Sequence, residues 1–202
     1  MYEYTDKIIL YLRKYFIEKF NAAKSMPDNE LNILAYSKSL YDDITEETKR
    51  QLVRVGQAAY KESGGTDELT EAWILGILDE YDPVTKYIFN HETERKKSRF
   101  AESIAAAYDA RAESVKTALR LWSAMVTQYA ISVTDRSMVE AMKSRGVRRV
   151  KWVTVKDGRQ CNKCDSLSGK IFDIEKIPVK PHIHCRCYVE EVHDDKSENI
   201  QL

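Results

Sequence analysis

The feature that most constrains this chain lies near its C-terminal end, in the stretch CNKCDSLSGKIFDIEKIPVKPHIHCRC from Cys161 to Cys187. That stretch holds all 4 cysteines and two of the 4 histidines in a chain of 202 residues. Cys161 and Cys164 form C-x-x-C, a spacing whose backbone turns both sulfurs toward one tetrahedral cation. About twenty residues later come His182, His184, Cys185 and Cys187. Two such clusters joined by a loop are the usual architecture of a structural zinc site. Disulfides fit less well: MYEYTDKIIL carries two acids ahead of its apolar run and no small-residue cleavage site, so the expectation is a cytoplasmic product in a reducing compartment. A redox C-x-x-C calls for a helix that starts at its first cysteine, and Gly169 and Pro178 argue against a long one.

Cys161, Cys164 and Cys185 fit every sensible coordination scheme. The fourth place goes to His182, which repeats the three-residue spacing of the first pair, or to Cys187. His184 reads as a supporting or surface residue, and His193 lies too far along. A thiolate-rich set filled by protein leaves no place for water or substrate, so the expected Zn2+ is structural. Residues 147–192 contain few large apolar side chains beyond Trp152, Leu167, Ile171, Phe172, Ile174 and Ile177. Ordering so small a unit needs another contribution, and zinc supplies about 10 kcal/mol or more.

The rest of the chain is helical in pattern, so the expected class is mainly α: a multi-helix body over 1–146, a small zinc-bound β module over 147–192 (α+β), and a flexible tail over 193–202. Ile9, Leu12, Phe16 and Phe20 fall on one face of a first helix. A second helix is expected over 29–41, burying Leu31, Leu34, Ala35 and Leu40. Asp43 with Glu46 resembles a capping box opening a third, which runs to Lys61 before Gly64 and Gly65. Thr66 or Asp67 caps a fourth, with Leu69, Trp73, Ile74, Ile77 and Leu78 as its apolar face, and Pro83 ends it. The charge run at 91–99 reads as a solvated face. A long helical pattern then extends over 100–145, with Val133, Thr134 and Asp135 marking a break and Gly146 the stop. Beyond it, Val150, Trp152 and Thr154 alternate with polar neighbours as in a half-buried strand, with further strands expected over 170–174 and 187–192.

Read together, W-x-T-x-x-D-x-R-x-C-x-x-C from Trp152 through Asp157, Arg159, Cys161 and Cys164, then Leu167, Gly169 and P-H-x-x-C-R-C from Pro181 to Cys187, form a two-part signature. It resembles the C-terminal signature of the Mu F-like minor head proteins of tailed bacteriophages, also called phage head morphogenesis proteins. The likeness covers roughly residues 132–192. Where the family carries R-T-E ahead of the strand, this chain has Val133, Thr134 and Asp135, and His182 stands at the family's ligand position. The resemblance implies a structural protein of the virion, built in few copies into the assembling head. Its implied partners are the portal or major capsid protein, and its place is the capsid interior or portal region after assembly in the host cytoplasm.

Charge and chemistry bound the alternatives. Lys plus Arg equals Asp plus Glu at 32 each, so any attraction to nucleic acid is local. Arg145, Arg148, Arg149, Lys151, Lys156, Arg159 and Lys163, joined by Lys143, crowd a span whose one acid is Asp157. Such a patch can neutralise phosphates of double-stranded DNA, while its plainer reading is a charge-protected strand edge. A zinc-module nucleic-acid-binding protein is therefore the alternative function. A zinc-dependent hydrolase is a weaker one, since no H-E-x-x-H or comparable set accompanies Asp157 and Arg159, and the expectation is a protein without catalytic residues. No apolar run approaches the roughly 20 residues of a membrane span. Tyr2, Tyr4, Tyr11 and Tyr15 lie off the first helix's core face and are candidates for partner contact.

Overall fold

A computed structural model describes residues 3–23, 30–79, 112–156, 158, 160–182 and 184–192. The element order is α1 (Glu3–Ala23), α2 (Glu30–Glu62), α3 (Glu71–Asp79), α4 (Ala112–Ser144), β1 (Arg149–Val153), α5 (Asn162–Leu167), β2 (Ile171–Asp173), a 3-10 turn (Ile174–Lys176) and β3 (Tyr188–Glu191). The expected class holds: a mainly helical chain with a small antiparallel sheet.

Helical spacing explains the body. Ile8, Leu12, Phe16 and Phe20 recur every fourth residue and are buried, and the Phe16 ring meets Trp122 of α4 at 5.7 Å between centroids. From α2, Ile44, Leu52, Val53 and Val55 enter the same core, joined by Ile74 and Ile77 of α3 and by Val126, Tyr129 and Val133 of α4. The three helices approach closely at Gly56, where an added Cβ would sit 2.8 Å from Ile74 and 3.0 Å from Val133.

Three sequence expectations fail here, for related reasons. The second and third helices are one: α2 runs unbroken through Asp43, which pairs with Lys19 of α1 at 3.3 Å. Ile44, Glu47 and Thr48 just beyond it are buried, and this tertiary burial overrides a local capping signal. The break at Val133–Asp135 is likewise absent, because Val133 packs in the body's core and Thr134 beside it is buried. The helix containing Trp73 starts later than expected, with the Thr70 hydroxyl accepting the Trp73 N–H at 3.2 Å in the place assigned to Thr66 or Asp67. The expectations for Pro83, the 91–99 charge run, Asp157, Arg159, His193 and the 193–202 tail fall outside the described residues.

Gly146 closes α4. At φ 78° it takes the left-handed conformation that L side chains avoid. Its N–H bonds the Lys143 carbonyl at 2.9 Å, and Val147 N–H bonds that of Met142 at 3.0 Å. This is a Schellman ending, with Val147 packing toward Met142 in a second core. The sheet that follows has the order β2-β1-β3, all antiparallel. Period two sends Val150 and Trp152 inward and leaves Arg149 and Lys151 outside. On the outer face Lys151 lies opposite Glu190 and pairs with it at 3.3 Å.

Candidate metal centre

The module's core gathers Met142, Val150, Trp152, Cys164, Ile174, Cys185, Cys187 and Val189. Three of these eight side chains are thiols, set among Val150, Trp152, Ile174 and Val189. The first knuckle is held onto β1. Trp152 N–H donates to the Lys170 carbonyl at 2.9 Å and Gly169 N–H to the Trp152 carbonyl at 2.8 Å. The buried Thr154 hydroxyl donates to the Cys164 carbonyl at 2.9 Å. Between them α5 begins at Asn162 with Cys161 as its N-cap, the Cys161 sulfur accepting the Cys164 N–H at 3.4 Å. A helix does therefore start at the first cysteine, and it is six residues long.

Cys164 Sγ is the hub. It lies 3.6 Å from Cys161 Sγ, 3.3 Å from His182 Nε2 and 3.7 Å from Cys185 Sγ. The donors form two triads that share it, Cys161–Cys164–His182 and Cys164–Cys185–Cys187, each with its atoms within 4.8 Å of one another. The cysteines are free thiols. A tetrahedral ion with metal–sulfur bonds of about 2.3 Å and metal–nitrogen bonds of about 2.0 Å places neighbouring sulfurs about 3.8 Å apart and a sulfur and nitrogen about 3.5 Å apart. The observed spacings match, and the five donors form a cluster that can hold a metal ion.

The electrostatics distinguish the thiols. The Cys164 N–H holds the Cys161 thiol below its ordinary range, whereas burial pushes Cys164 and Cys185 up. The two buried thiols are protonated at neutral pH unless a cation displaces the proton.

All five expected ligands, Cys161, Cys164, His182, Cys185 and Cys187, come together. His184 does not join them. It is exposed, adopts φ 57°, and donates its backbone N–H to Gln128 at 2.6 Å. No protein-family model matches the chain, and neither does any curated protein or solved structure.

The basic span is divided. Arg145 pairs with Glu191 at 3.0 Å and Lys151 with Glu190, while Lys143 pairs with Glu175 at 2.8 Å. Arg148, Arg149, Lys156 and Lys163 are exposed, and Arg159 lies outside the described residues. On α1, Tyr11 donates to Glu47 at 3.1 Å and stacks on Tyr15. Tyr2 and the Tyr4 side chain are outside the description. Gln128 and Lys180, which contact the segment carrying His182 and Cys185, carried no signal in sequence; Thr154 did, as the threonine of the two-part signature, and Asp135 did, in the triplet read as a helix break. Among the described residues no helix is long and apolar enough to cross a membrane.

Proposed function

We propose that this chain is a zinc-stabilised structural component of a tailed-phage head, of the minor head protein kind, built into the capsid beside the portal. The observation that carries the reading is the pair of donor triads, Cys161–Cys164–His182 and Cys164–Cys185–Cys187, that meet at Cys164, within a segment that also bears the two-part signature. Zinc suits the donor set: a borderline-soft ion without geometric preference of its own, taking thiolate and imidazole in tetrahedral array. Five protein donors are at hand for four places, and a site filled by four of them leaves no position for a substrate or an attacking water, which favours assembly over hydrolysis. The helical body supplies the partner surface in this reading. Leu10 and Ile17 are large apolar side chains of α1 left exposed, on the side away from Leu12 and Phe16.

Two measurements test it. Elemental analysis of the purified chain is expected to find about one equivalent of zinc; a metal-free native product would sink the reading at its base. Co-expression with portal and capsid proteins is expected to incorporate the chain into heads, and Leu10→Asp with Ile17→Asp to abolish that incorporation while zinc content stays unchanged. Retention on DNA that weakens steeply with salt would instead favour the nucleic-acid alternative.

A further inference from the structure

Asp135, in the triplet misread as a break in α4, has a place beside the candidate metal centre. The chain from Ile177 to Lys180 has no strand or helix, and neither do Cys185 and Arg186. This stretch, which carries His182 and Cys185, stands off α4 across a cleft of about 780 Å³ lined by Gln128, Asp135, Val139, Ile177, Lys180 and His182. Ile177 and Val139 pack against the module's core, and polar tethers cross the cleft as well. The Lys180 ammonium pairs with the Asp135 carboxylate and also donates to the carbonyl of the ligand Cys185 at 2.9 Å. The His184 N–H reaches the buried Gln128 of α4, with His184 turned left-handed between the two ligands. Farther along, Arg186 meets Asp6 of α1 at 3.4 Å.

We infer that Asp135, Gln128 and Lys180 are positioning residues of the metal centre, so that the helical body sets how tightly the module holds its ion. The inference rests on the metal reading above. Two donors come from the knuckle that β1 anchors, and two from a segment fixed by α4. Coordination needs both halves in register, and the tethers supply that register before the ion arrives. Partners one step behind the ligands typically change metal affinity by about 10- to 100-fold when removed. The coupling is reciprocal, so the bound ion also tightens the seam between segment and helix.

The test uses the full chain with zinc as the probe, its affinity read by competition against a chromophoric chelator. Asp135→Asn, Gln128→Met and Lys180→Met are compared with wild type, and Co2+ substitution reports the ligand set. Expected are unchanged stoichiometry and Co2+ spectra, zinc binding weakened by about tenfold or more, and partial recovery in Asp135→Glu. Faster amide exchange over 177–186 with α4 exchange unchanged would separate lost positioning from general damage. Affinities within roughly twofold of a tight-binding wild type in all three variants would overturn the tether alone. A wild-type chain that takes up no zinc would overturn the metal reading, and the tether with it.

Discussion

Among single residues, Cys164 carries the most. Its sulfur approaches three other donors, its carbonyl accepts from Thr154, and its side chain is fully buried. Cys164→Ser is expected to abolish metal uptake and leave the module unfolded, as read by elemental analysis and by loss of protected amides over 147–192. Proton linkage adds a second prediction. Burial raises the Cys164 and Cys185 thiols, so in the metal-free fold their contribution to stability is complete below the unfolded thiol value, about 8.5, and fades as pH rises beyond it. With metal the sign reverses, because coordination demands thiolates: uptake releases protons and affinity falls as pH is lowered. Titration calorimetry in buffers of different ionisation enthalpy checks the release, and chelator competition across pH checks the slope. The clustered donors were legible in sequence because their spacing is local, a pair of short intervals. Gln128 was not, since its bond to His184 joins residues 56 apart and a lone glutamine in a helix announces nothing.

At the scale of elements, the helices were legible by periodicity and their interruptions were misread. Asp43 with Glu46 has the form of a cap, and Val133–Asp135 has low helical propensity. Each lies beside residues buried in the body's core, where packing outweighs the few tenths of a kcal/mol at stake per residue. The difference is measurable. A true N-cap would lose about 1 kcal/mol on Asp43→Ala. An exposed pair with Lys19 loses under about 0.5 kcal/mol, and chemical denaturation is expected to show the smaller value. The stop at Gly146 was read correctly, because a left-handed terminus leaves a glycine in the sequence. Gly146→Ala is expected to cost about 1 kcal/mol, visible as a lowered Tm.

For the whole molecule, the two cores differ in what supports them. The body buries phenylalanine, leucine, isoleucine and tryptophan from four helices, whereas the module's smaller core includes three thiols from a cluster that can hold an ion. Chelation is therefore expected to melt 147–192 and leave most far-UV helical ellipticity in place, with re-addition of zinc restoring the lost amide protection. Loss of the whole fold on chelation would contradict the division. The change of character after Gly146 was plain in the sequence; the sharing of α4 between the cores was not. That helix sends Leu119, Trp122, Val126, Tyr129 and Val133 into the body, while Val139 and Met142 pack in the module's core. A helix of 33 residues is about 50 Å long. Rooted in both cores, it holds α1 and the outer face of the sheet at a set spacing and bearing, as a ruler would.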